Sequence, residues 1–134
     1  MLAPRAVTPP EPPDMAALRA IGESEGTPWH KRTIAWLELA RLASVRGRPF
    51  FEYKQRAAEC ELRDYWSQGL RRVRVISRPD ACPRCAELDG KVFQIRALLK
   101  RPLLPCADCS GTPDASGVGW CRCYYEVLFP GERA

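Results

Sequence analysis

Between residues 82 and 123 the chain reads Cys82-Pro83-Arg84-Cys85, then Cys106-Ala107-Asp108-Cys109, then Cys121-Arg122-Cys123. Six of the seven cysteines fall in this stretch, in three close pairs. Paired cysteines in separate segments are what a thiophilic metal ion requires, because two thiolates three residues apart can turn to one point. The first two pairs lie at the edge of the C-x2-C-x15-20-C-x2-C ribbon spacing. The pattern predicts a structural zinc site drawn from Cys82, Cys85, Cys106, Cys109, Cys121 and Cys123. Tetrahedral zinc takes four ligands, so six candidates over-determine it. Nothing competes with Cys82 and Cys85, while spacing alone does not choose the remaining two, and a two-ion cluster would need all six. The competing reading is disulfides. With no signal peptide ahead of the cysteines, a reducing cytoplasm, and hence metal, is the expectation.

The surrounding composition makes a staple useful. A chain of 134 residues with thirteen prolines concentrated toward its ends holds less foldable sequence than its length suggests. A unit of about sixty residues around the cysteines buries little apolar surface and is marginal by itself. Structural zinc contributes on the order of 10 kcal/mol to such folding. The net charge of +5, mostly arginine, permits an acidic partner without demanding one. No apolar run approaches the length of a membrane span.

Three regions are expected. Residues 1–13 carry five prolines and read as a disordered or extended lead. Residues 14–69 read as helical. Asp14 is placed to cap a short helix over Met15 to Ile21, and Thr27-Pro28 to open a longer one. There Trp29, Trp36, Ala40 and Ala43 share a face flanked by Leu37 and Leu39. A partner helix from about Pro49 to Gln68 carries one stripe of Tyr53, Ala57 and Cys60 and another of Phe51, Ala58, Leu62 and Tyr65. Its pairs Glu52/Arg56 and Glu59/Arg63 mark the solvated side. The two long helices should form an antiparallel hairpin. Cys60 reads as a small core residue and His30, the only histidine, as a surface residue.

Residues 70–130 change period. Val73 and Val75 alternate with Arg72 and Arg74 as in a half-buried strand. Leu88-Asp89-Gly90-Lys91-Val92-Phe93 carries the turn chemistry of a tight hairpin. Gln94 to Lys100 suits two helical turns, Ser110 to Gly119 an irregular loop, and Tyr124 to Phe129 a final strand. The fold class expected is α+β, an N-terminal helical hairpin followed by a small zinc-stapled antiparallel β unit.

The order C-P-x-C (Cys82 to Cys85), L-D-G-K-x-F (Leu88 to Phe93) and C-R-C (Cys121 to Cys123) ahead of a terminal strand resembles the C-terminal region of the phage minor head, or Mu F-like head morphogenesis, family. The similarity covers roughly Arg72 to Phe129. That family carries a histidine shortly before C-R-C, and the resemblance implies Cys106 or Cys109 in its place. It implies a non-enzymatic role near a phage head portal, or a domain borrowed from such proteins, with a protein partner and a location in the cytoplasm or a virion.

Other chemistries are weighed on the same residues. A nucleic-acid-binding module would use Arg71, Arg72, Arg74, Arg78 and Arg84 as a basic strip, with Trp120, Tyr124 and Tyr125 as stacking surfaces. A metal-dependent nuclease would use Asp80, Asp89 and Lys91, but Asp89-Gly90 is a turn signature. A zinc deaminase lacks its H-x-E and P-C-x-x-C motifs. A redox C-x-x-C needs to open a helix after a strand, whereas a β turn is expected at Cys82 to Cys85.

Overall fold

A computed structural model describes residues 10–79, 81–106 and 122–132. The chain is α+β, with three helices leading into a three-stranded antiparallel sheet. Helix α1 spans Pro13–Glu23, α2 Trp29–Val45 and α3 Phe51–Ser67. Strand β1 (Arg72–Ile76) is followed by α4 (Pro83–Leu88), β2 (Val92–Gln94), α5 (Ile95–Lys100) and β3 (Tyr124–Leu128).

The helical region is a three-helix layer, because α1 packs on α2 as well as α2 on α3. Met15, Trp36, Leu39, Ala40, Ala43, Tyr53, Ala57 and Cys60 bury one another there. Gly22 lets α1 approach α2. A Cβ at that position would lie 2.5 Å from Trp36 Cε2, so only hydrogen fits. The Gly22 carbonyl accepts from Trp36 Nε1 at 3.1 Å and from Arg32 Nε at 2.7 Å. The end of α1 is thereby tied to the centre of α2. Cys60 is a core residue, and His30 is exposed.

Several local expectations need correction. The disordered or extended lead expected up to Pro13 ends one residue earlier, since that proline begins α1, and Glu11 Oε1 ahead of it accepts from Arg19 Nε at 2.6 Å and Tyr53 Oη at 2.9 Å. Residues 1–9 lie outside the described set. Asp14 sits inside α1 rather than ahead of it, and Pro12 holds the cap position. Likewise α2 starts at Trp29, with Pro28 as its cap, because the Pro28 carbonyl takes the first helical bonds from Lys31 and Arg32. Leu37, expected beside the buried face, is 47% exposed.

Helix α3 serves two cores, which explains its two stripes. Tyr53, Ala57 and Cys60 face α2, while Leu62 and Tyr65 join the core of the β unit. In that second core lie Leu70, Val73, Val75, Ile95, Leu98, Leu104, Tyr125 and Leu128. The sheet order is β2-β1-β3, with Val73 opposite Phe93 on one side and Val127 on the other. Arg72 and Arg74 take the alternate positions of β1 and are half-buried. The core of the C-terminal unit therefore takes in apolar surface from α3.

Candidate metal centre

Six residues after the end of β1, the chain enters α4 through Cys82, whose extended backbone (φ −62°, ψ 158°) occupies the cap position. Its carbonyl accepts from the Ala86 N–H at 2.9 Å, and no side-chain capping bond engages its sulfur. Pro83 supplies the fixed φ that suits a first helical turn. Cys85 then falls one turn along on the inward face of α4 and is completely buried. This corrects the expected β turn. Cys82 to Cys85 opens a short helix after a strand, as a redox C-x-x-C would, so local geometry does not separate redox from metal chemistry.

A third sulfur adds a donor that a two-cysteine redox pair does not need. Cys106 arrives from the segment after α5, and the ligand atoms of Cys82, Cys85 and Cys106 all lie within 4.8 Å of one another. Their residues are 5%, 0% and 4% exposed. Sulfurs bound about 2.3 Å from one tetrahedral ion stand about 3.8 Å apart, so the observed grouping fits a metal with small adjustments. The donor set fits too, since three soft thiols, with no carboxylate among the grouped ligands, favour a thiophilic ion over calcium or magnesium. These residues form a buried cluster able to hold a metal ion.

Of the other candidates, Cys123 lies outside the three-sulfur group, half-buried against the same core. Cys109 and Cys121 fall outside the described residues, as do Asp80, Trp120 and the Ser110 to Gly119 loop. Cys60 is not in the cluster; burial in the helical core pushes its thiol pKa up, which keeps it an inert thiol.

The scaffold around the cluster is held by contacts that spacing did not reveal. Tyr125 Oη on β3 accepts from the Leu104 N–H at 2.9 Å and the Leu103 N–H at 3.4 Å, which fixes the strap that ends in Cys106. Asp89-Gly90-Lys91 is a turn, but it joins α4 to β2 instead of joining two strands. Asp89 Oδ1 accepts from the Ser77 N–H at 2.8 Å, Gly90 N–H donates to Val75 O at 2.8 Å, and Lys91 O accepts from Val75 N–H at 2.9 Å. Gly90 adopts φ +79°, which a Cβ would strain. With its carboxylate spent on the backbone, Asp89 serves geometry.

Beside the cluster, a cleft of about 70 Å³ separates α2 and α3 from the strap and β3, lined among others by Glu61, Pro105, Cys123 and Tyr124. Burial raises the pKa of Glu61, opposed by a hydrogen bond from Tyr65 Oη at 2.7 Å. At this size the cleft admits water rather than a metabolite, since ligand pockets are typically several hundred Å³.

Four of the arginines expected to form a strip make contacts within the protein. Arg71 lies over the Trp66 ring at 3.8 Å, Arg78 over Tyr124 at 5.7 Å, Arg74 pairs with Glu126 at 3.5 Å, and Arg72 donates to the Glu132 carbonyl at 2.9 Å. Arg84 is exposed on α4. Among the described residues no helix is long and apolar enough to cross a membrane.

Comparison with known protein families, curated proteins and solved structures finds no match to this chain.

Proposed function

We propose that this chain is a non-catalytic, zinc-stapled module that binds another protein, of the kind used in phage head assembly. The observation that carries the reading is the convergence of three buried sulfurs from two segments separated by twenty residues. Structural zinc sites are closed, whereas catalytic ones keep a position open to water and substrate. The near-complete burial of Cys82, Cys85 and Cys106 supports the closed class. Zinc would hold these thiols as thiolates and tie α4 to the strap after α5, with a fourth ligand from the remaining cysteines. The head-assembly element rests on the motif order C-P-x-C, L-D-G-K-x-F and C-R-C.

A second reading, nucleic-acid binding, has one observation in its favour. Trp66 and Tyr124 are 38% and 44% exposed and carry Arg71 and Arg78 over their rings. Such pairs are able to stack on bases. Against it, Arg72 and Arg74 spend hydrogen bonds within the protein. The test is retention of the zinc-loaded chain on double-stranded DNA across a salt series. The protein-binding reading expects little retention at physiological salt. Tight retention that falls steeply with salt would replace it with the nucleic-acid reading.

A further inference from the structure

An exposed apolar surface with no cysteine in its lining lies on α1 and α2. There Leu18 and Ile21 of α1 and Lys31, Ile34, Ala35 and Glu38 of α2 line an apolar groove of about 400 Å³. Ile34 is 63% exposed at its centre, with Ile21 44% exposed beside it and Val45 68% exposed further along α2. Soluble chains scatter single apolar residues over their surface, but a contiguous apolar groove with charged ends marks an interaction site.

The sequence along the groove indicates what fits it. On α2 the lining residues are Lys31, Ile34, Ala35 and Glu38, symmetric about the midpoint between 34 and 35. When two copies of this helix lie antiparallel across a two-fold axis at that midpoint, Ile34 of each meets Ala35 of the other. Lys31 of each then meets Glu38 of the other. A two-fold contact needs this property, one surface that complements itself. We infer that the groove between α1 and α2 is a homodimer interface, in which Ile34 of each copy enters the other's groove and two symmetric Lys31–Glu38 ion pairs close its ends. Glu38 also pairs with Arg41 on its own helix, and the partner's lysine would join that pair. Ala35, 3% exposed, forms the small floor of the groove, and Ile34, 63% exposed, is the knob that fits over it. In a parallel two-fold pair lysine would meet lysine and glutamate glutamate, whereas the antiparallel copy sets Lys31 against Glu38.

The test is sedimentation equilibrium of the full metal-loaded chain over a concentration series, with four variants whose helicity is checked by circular dichroism. The wild type is expected to dimerise in the micromolar range. Ile34→Asp should be monomeric, and Glu38→Lys, which sets Lys31 against lysine twice, should weaken association at least tenfold. The double variant Lys31→Glu/Glu38→Lys should recover association to within a few-fold of wild type. Gln55→Glu, on the exposed surface of α3, should change nothing. A wild type that stays monomeric at several hundred micromolar overturns the inference. So does a dimer that Ile34→Asp leaves intact, or a charge swap that fails to restore what the single reversal lost. Chelating the metal leaves the predicted pattern among variants unchanged, which keeps this outcome separate from that of the zinc reading.

Discussion

The backbone N–H of Leu104 donates to the phenolic oxygen of Tyr125 across 2.9 Å, joining the strap that carries Cys106 to the edge strand of the sheet. Leu104 and Tyr125 are both buried, so the amide has no water to turn to if the hydroxyl is removed. Leaving a buried donor unpaired costs about 1–3 kcal/mol. Tyr125→Phe should therefore lower stability by about that amount and weaken metal retention in a chelator competition, because Cys106 is then less firmly placed. Urea denaturation and competition with a chromogenic chelator check both; unchanged retention would mean the strap is fixed by other means.

Stripping the metal should separate the two halves of the molecule. The helical layer has its own core around Trp36, whereas the core of the β unit takes in Leu62 and Tyr65 of α3 and surrounds the cysteines that the zinc reading makes its staple. A chelated sample should keep most of its helical circular dichroism while backbone amides of Arg72–Ile76 and Tyr124–Leu128 lose hydrogen-exchange protection. Structural zinc contributes on the order of 10 kcal/mol to such units, more than this small core replaces.

Gly22→Ala tests the helical layer by itself. The added methyl would meet the Trp36 ring at 2.5 Å, and the ring is buried with its Nε1 bonded to the Gly22 carbonyl. Overpacking of this kind costs about 1–3 kcal/mol. Gly26→Ala meets nothing within 4 Å and should be near neutral. Denaturation midpoints of the two variants, compared with metal content unchanged in both, distinguish a packing effect from a metal effect.

Glu61 gives the pH dependence a sign. Burial holds its carboxyl above the ordinary value of 4.5, so the native state binds this proton more tightly than the unfolded chain does. The stabilisation is then fully present below pH 4.5 and is lost as pH rises through the raised value. Glu61→Gln keeps an acceptor for Tyr65 and removes the titration. It should be at least as stable as wild type at pH 7, with the difference shrinking toward pH 4. A variant less stable at pH 7 than at pH 4, relative to wild type, would contradict the sign.

How far the sequence announced this arrangement depends on whether the signal was local. A 3.6-residue period reports the two faces of α3: Tyr53, Ala57 and Cys60 enter one core and Leu62 and Tyr65 the other, while Phe51, at the start of the second stripe, stays 37% exposed. The alternation around Val73 and Val75 reported a half-buried strand, and β1 is the central one. Cys82 and Cys85 were readable as a pair because their spacing is their geometry. The helix they open carries no separate local signal, because an Asp89-Gly90 hairpin signature and a helix end call for the same positive φ, which Gly90 supplies here. Tyr125 was unreadable in its role, since its partner lies twenty-one residues away and is a backbone amide. Cys123 looked equivalent to Cys106 by composition, and only the placement of the strap and strand distinguishes them.

The most direct measurement is the metal content of protein purified without added metal, by mass spectrometry, for the wild type, Cys106→Ser and Cys60→Ser. The expected result is about one zinc per wild-type chain, retained in Cys60→Ser and lost in Cys106→Ser. A metal-free wild type with its thiols oxidised, or full metal content in Cys106→Ser, would contradict a centre built on Cys82, Cys85 and Cys106.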